Sequence, residues 1–156
     1  MDTDADTLFD NILATLTKQL FIPMASITLV DSDRQWFKST IGLSDGTETC
    51  RNVSFCAHTV LKNSVLVVED TYDDHRFSHN PSVIEHSFIR SYHGLPLCPI
   101  NNLAVGTLCV MDTKPRVLNA QEQTLLVKMS LQIEHLMRLG KQLHELNTDK
   151  KVVGLN

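Results

Sequence analysis

Short runs of branched and aromatic residues, parted by turns too short to hold a crossover helix, constrain this chain more than any other feature. Met24 to Val30 (Met-Ala-Ser-Ile-Thr-Leu-Val) reads as a strand. Asp31-Ser32-Asp33 is a turn, and Arg34 to Ser39 a partner strand. Ile89 to Leu97 and Ala104 to Met111 form a second pair around the loop Pro99-Ile100-Asn101-Asn102, and Val65 to Asp70 is a further short apolar strand. Parallel neighbours need a connection of a dozen or more residues, so strands joined this tightly are antiparallel. Residues 40–52 read as loop, and Ser54 caps a short helix, Phe55 to Lys62. The segment from Thr71 to His86, broken by Asn80-Pro81, reads as irregular.

An amphipathic helix brackets the strands at each end. Leu8, Phe9, Ile12, Leu13, Leu16 and Leu20 make one apolar stripe, which Pro23 closes. The final helix is predicted over 119–147. Asn119 and Glu122 form a capping box at its start. Leu125, Met129, Leu136, Leu139, Leu143 and Leu146 fall on heptad seam positions, with Gln132 as the polar member. Leu126, Ile133 and Met137 form a second stripe, so one helix can pack on its own sheet and on another helix. The fold class that follows is α+β, an antiparallel sheet with helices gathered on one face. Residues 1–145 are expected to form a single domain, with 148–156 a flexible tail.

Composition narrows the function classes. Apolar residues make up 42% of the 156 and charged residues 21%, which suits one ordinary domain with its own core. The net charge of −4 and the lack of any Lys/Arg-rich run give no footprint for nucleic acid. No apolar stretch is long enough for a membrane span. Asp2, Asp4, Asp6 and Asp10 are the opposite of a signal peptide's basic start, so a cytoplasmic location is expected. Cys50, Cys56, Cys98 and Cys109 contain no Cys-x-x-Cys pair and read as reduced, mostly buried thiols.

The stretches ITLVDSDRQWFKSTIGL, RNVSFCAHTVL, VVED, DDHRFSHNPSV, IRSYHGLPL and VGTLCVMDTKPRVL follow in that order and spacing. Together they resemble bacterial GAF domains, especially the subgroup found in front of diguanylate cyclase and histidine kinase domains. The resemblance covers about residues 5–140. It implies a GAF-like fold with five or six antiparallel strands, the first and last helices on one face, and a pocket under loops and the short helix on the other. In many members that pocket takes a small molecule; in others the domain serves dimerisation and relay. Cys50 and Asn52 stand where the subgroup has Pro and Asp, and Arg90-Ser91-Tyr92-His93-Gly94 where it has Arg-Phe-Tyr-Ala-Gly.

The residues placed around that pocket are Phe37, Ser54, Cys56, Arg90, Tyr92 and Cys109. Trp36 and Phe37 alternate on a strand, so one of them faces it. Arg90 and Tyr92 share one strand face, Ser91 and His93 the other, and the pattern leaves open which is the pocket side. Cys56 sits where helix N–H groups favour a thiolate, and reads either as a ligand-contacting or redox-sensitive thiol or as a small packing residue. His58, two positions on, points elsewhere around the helix, which argues against a Cys–His dyad. His75 and His79, beside Asp73 and Asp74, have helical ligand spacing but fall in a loop-like segment, so no metal is expected. Cofactor motifs of cyclic-nucleotide and bilin-binding relatives are absent.

The expected function is regulatory, with no catalytic residues. A small-molecule-sensing or signal-relay domain would act through a homodimer of first and last helices on an output cyclase or kinase, in cis or in trans. Two alternatives remain: a ligand-free dimerisation module, and a free methionine sulfoxide reductase-like enzyme using Cys56 or Cys109. The Gly-x-Gly-Val-Cys-Gly loop of that reductase family is missing.

Overall fold

The structure, a computed structural model, describes residues 4–30, 32–43, 48–50, 54–85, 87–152 and 154, without the side chains of 4–6 and 48–50. The elements are α1 (Asp4–Leu20), β1 (Met24–Val30), β2 (Arg34–Ile41), β3 (Glu48–Cys50), α2 (Phe55–Lys62), β4 (Leu66–Val68), α3 (Pro81–Ile84), β5 (Ser91–Leu97), β6 (Gly106–Asp112) and α4 (Ala120–Val152). They build a six-stranded sheet in the order β3-β2-β1-β6-β5-β4, with every neighbouring pair antiparallel. This is the α+β arrangement that tight strand connections dictate.

Strand alternation divides the molecule into two cores. Ala25 and Ile27 of β1, Leu95 and Leu97 of β5, and Leu108 and Val110 of β6 face α1 and α4. Onto them pack Leu13, Leu16 and Leu20 of α1 and Leu126 and Ile133 of α4. The opposite side chains, Met24, Tyr92, Cys109 and Met111, meet Phe55 and Cys56 of α2, together with Leu66, Phe77, Val83 and Ile89.

Polar ties hold the helices on their face. Arg116 donates to the carbonyls of Leu20 and Phe21, where the last turn of α1 leaves acceptors unpaired. The same guanidinium pairs with Glu122 in the first turn of α4 at 3.0 Å and with Asp112 at the end of β6 at 3.7 Å. Asp10 of α1 accepts from Ser39 of β2. Glu134 of α4 accepts from the Cys98 N–H, just past β5, at 2.8 Å.

Three elements differ from the sequence reading. β3 lies within the segment read as loop, because it gains its conformation by pairing with β2 (Trp36↔Glu48, Gln35↔Thr49, Arg34↔Cys50) and has no periodicity of its own. α3 is one turn within the segment read as irregular, started by Asn80 as N-cap and Pro81 in the first turn. α4 runs on to Val152, so 148–152 continue the helix that the reading ended at residue 147. Asp31 of the expected turn, Asn52, and the end of the expected tail lie outside the described residues.

His93 is 4% exposed on the helix side of β5, and its Nε2 has no hydrogen-bond partner among the described residues. Burial pushes its pKa below the ordinary 6.5, and the Arg116 charge pushes the same way against Glu122. The fold therefore holds this imidazole neutral, while the unfolded chain takes up a proton below pH ~6.5. Stability is lost as pH falls through that value. We expect His93→Leu to flatten the fall in urea midpoint between about pH 7 and about pH 5; an unchanged slope would contradict the assignment.

Candidate functional site

The site lies on the face away from α1 and α4, and two local features bring its parts together. The first is a β-bulge where Ile27 pairs with Ser39 but Thr28 pairs with Phe37, leaving Lys38 as the extra residue. Without it Phe37 and Ser39 would share a face. With it Ser39 meets α1 while Phe37 turns to the site, and Trp36 is left half-exposed. The second is the start of α2. The Ser54 hydroxyl accepts from the Ala57 N–H at 3.1 Å and donates to Gln35 Oε1 of β2. One buried side chain thus caps the helix and anchors it to the sheet.

The floor is polar and buried. Ser26 lies opposite Cys109, and Thr28 opposite Thr107, across β1 and β6. Each pair joins side chain to side chain, Ser26 Oγ to Cys109 Sγ at 2.9 Å and Thr28 Oγ1 to Thr107 Oγ1 at 2.8 Å. The α2 thiol comes down onto them, with Cys56 Sγ 3.8 Å from Cys109 Sγ. Tyr92 lies along β5 over Gly94, where any Cβ would meet its hydroxyl and ring. That hydroxyl donates to Cys56 Sγ at 3.3 Å and sits 3.4 Å from Thr59 Oγ1. Phe55 stacks on both Phe77 (4.3 Å) and Tyr92 (4.9 Å) and roofs the site. The space left is a cavity of about 30 Å³ bordered by Gln35, Phe37, Ser54, Cys56, Tyr92 and Cys109.

The two thiols differ in acidity. Burial pushes Cys56 up, but hydrogen bonds from Cys109, Thr107, Thr28 and Tyr92 together outweigh it and bring it down to about 6. Cys109 is pushed well up by its hydrogen bond to Cys56 and then by burial. Tyr92 is pushed up by burial and by the charge on Cys56. The cluster thus favours one anion, on Cys56, with the neighbouring groups as donors.

Five of the six residues placed here from sequence, Phe37, Ser54, Cys56, Tyr92 and Cys109, border one cavity. Arg90 does not. It precedes β5, forms a bidentate pair with Asp70 (2.8 Å) and lies 3.8 Å over the Tyr72 ring. That pairing holds the Asp70 carboxyl below its usual range. His58 turns to the edge of Phe77 rather than to Cys56. His75 and His79 sit on an exposed run of turns, where Arg76 engages Asp74, and no three His, Cys, Asp or Glu side chains among the described residues are grouped as metal ligands. Sequence reasoning passed over Ser26, Thr28, Gln35 and Thr107. For Ser26 and Thr28 the signal was two polar residues two apart inside an otherwise apolar strand; Gln35 and Thr107 carried none.

Gly94→Ala would drive a methyl into Tyr92, and overpacking of this kind costs about 1–3 kcal/mol. The loss should shrink sharply in a Tyr92→Leu background when both are measured by chemical denaturation. Equal losses in the two backgrounds would mean that Tyr92 does not occupy the space over Gly94.

Known proteins can be set beside this geometry. The GAF domain family profile matches residues 4–136. Over 139 residues the chain is 39% identical to cyclic di-GMP phosphodiesterase PA2567 of Pseudomonas aeruginosa, covering 89% of this chain and 22% of that protein. The chain therefore spans less than a quarter of that relative's length. Among solved structures it is similar to the GAF domain of a phosphoenolpyruvate-protein phosphotransferase from Coxiella burnetii, with TM-score 0.77, 11% identity and 92% and 88% of the two chains covered. It is also similar to free methionine-R-sulfoxide reductase from Neisseria meningitidis, with TM-score 0.75, 19% identity and 91% and 83% covered. At these identities the likeness is one of fold.

Proposed function

The chain belongs to the GAF domain family, and from that premise we propose that it is the sensing and relay part of a signalling protein, working as a homodimer through α1 and α4. GAF domains are signalling modules, and no described helix is long and apolar enough to cross a membrane. The observation that carries the reading is the far half of α4. Leu125, Met129 and Leu136 pack against the domain's own core. The same seam then continues through Leu139, Leu143 and Leu146, which are 41%, 62% and 58% exposed. A 33-residue helix is about 50 Å long, well beyond what one small sheet can cover. Beside it Leu8 and Ile12 of α1 form an apolar groove with Met129 and Leu136.

A second copy is the occupant that fits this row. Burying the exposed half of each seam leucine is worth on the order of 1 kcal/mol. Three leucines on each of two helices, with the groove residues, reach the lower part of the ~4–15 kcal/mol cost of association. The proposed arrangement is a parallel dimer, with Gln132, the polar member of the seam, helping to fix register. The output domain would be an enzyme of the cyclase, kinase or phosphodiesterase kind, the last suggested by the relative from Pseudomonas.

The pocket face supports a sensory role over the reductase alternative. A cavity of about 30 Å³ has no room for free methionine sulfoxide, and small-molecule sites usually measure ~300–1,000 Å³. A metabolite would have to displace the Phe55–Tyr92–Phe77 stack, which is the kind of repacking that a sensor converts into a shift between two states.

Sedimentation velocity at micromolar concentration should show a dimer for the wild-type chain and a folded monomer for Leu139→Glu/Leu143→Glu, both positions being exposed in one copy. A wild-type monomer, or a double variant that still dimerises, would contradict the α4 interface.

A further inference from the structure

We propose that Cys56 and Cys109 are a thiol–disulfide site that hydrogen peroxide oxidises, covalently joining the start of α2 to the central strand β6. Nothing in this depends on the dimer or on a metabolite ligand. The two sulfurs are 3.8 Å apart and need only close to the ~2.05 Å of an S–S bond. Cys98 is placed differently: its Sγ donates to Asn63 Oδ1, at the C-terminal cap of α2, at 3.1 Å.

The surroundings divide the labour between the two thiols. Cys56 Sγ accepts from the Tyr92 hydroxyl at 3.3 Å and lies 3.8 Å from Cys109 Sγ near the start of a helix, so Cys56 carries the thiolate, and Cys109 keeps its proton. In the first step the Cys56 thiolate attacks one oxygen of hydrogen peroxide. The O–O bond breaks, a Cys56 sulfenic acid forms, and the departing hydroxide takes up the proton that Cys56 had released. Tyr92, 3.3 Å from Cys56 Sγ, is placed to donate to that departing oxygen. In the second step Cys109 sulfur attacks Cys56 sulfur. The S–S bond forms, the S–O bond breaks, and the oxygen leaves as water with the Cys109 proton. Two thiols and one peroxide give one disulfide and two waters, a two-electron oxidation.

The same enclosure selects the oxidant. Cys56 and Cys109 are 2% and 1% exposed, and the cavity beside them measures about 30 Å³. A water-sized molecule needs about 10–15 Å³ of such space, so hydrogen peroxide is small enough to reach the sulfurs without repacking. Tert-butyl hydroperoxide, with the same O–O chemistry and a bulky tail, would need the site to repack. Phe55 adjoins Cys56 in sequence and stacks on Tyr92, so the bond would also fasten the roof of the site to its floor.

The test is peptide mapping after exposure to each peroxide, with remaining thiols alkylated in denaturant. Hydrogen peroxide should link the Cys56 and Cys109 peptides with the loss of two hydrogens, and dithiothreitol should release them. Tert-butyl hydroperoxide should react at least tenfold more slowly than hydrogen peroxide at these two positions. In Cys109→Ser, dimedone should trap a sulfenic acid on Cys56; in Cys56→Ser it should trap none on Cys109. The wild-type map decides even if a variant fails to fold. Cys56 left as a thiol when Cys98 is already oxidised, Cys56 joined to any other cysteine, or equal rates with the two peroxides would each overturn the proposal.

Discussion

Strands β1, β5 and β6 are buried on both faces, and their two-residue alternation governs the rest of the molecule. One face is aliphatic, carrying Ala25, Ile27, Leu95, Leu97, Leu108 and Val110, and it accepts the apolar stripes of α1 and α4. The other carries Ser26, Thr28, Thr107 and Cys109, all of which are buried. A buried polar group without a partner costs about 1–3 kcal/mol. The register of β1 against β6 removes that cost by placing Ser26 opposite Cys109 and Thr28 opposite Thr107, so that each satisfies the other. A slip of one residue would turn hydroxyls into the helix face and leucines into the site. The small side chains also leave the depth that Phe55, Phe77 and Tyr92 fill. The chemistry of the site and the docking of the helices thus depend on a single register.

The same strands connect the faces mechanically. Tyr92 and Cys109 face the site while His93 and Val110, their neighbours in sequence, sit on the helix side. The helices are tied to the ends of these strands by Arg116 with Asp112 and Glu122, and by Glu134 with the Cys98 N–H. Packed interiors transmit displacement because they have little free volume. Under the proposed relay, repacking over Cys109 would reach α4 through one layer of backbone, and α4 would carry it out along the part of the helix that the domain itself does not cover.

Much of this was legible in the sequence because it depends on local pattern. The tight connections fixed antiparallel pairing, and the stripe of Leu126 and Ile133 marked residues that pack inward; the heptad stripe is divided, with Leu125, Met129 and Leu136 on the core and Leu139, Leu143 and Leu146 exposed. Tyr92, Cys56 and Cys109 border one cavity. What was hidden depends on partners distant in the chain. The bulge at Lys38 appears only when β2 is laid against β1, and it alone decides that Phe37 rather than Trp36 faces the site. Arg90 shares a strand side with Tyr92 by counting, yet Asp70 and Tyr72 draw it off the cavity. β3 exists only as a partner of β2. The approach of Cys56 to Cys109, 53 residues apart in sequence, is a product of how α2 lies on β6.

The central claim is that the site face and the helix face act as one unit, so that a change made only at the site alters association of the helices. Cys109→Leu enlarges a side chain bordering the cavity on the floor strand and touches neither α1 nor α4. The decisive measurement is the dimer dissociation constant of the wild-type and Cys109→Leu chains by sedimentation equilibrium, with circular dichroism to establish that both are folded. A shift of at least several-fold in that constant is predicted. A folded variant whose dissociation constant equals that of the wild type would contradict the connection between the two faces.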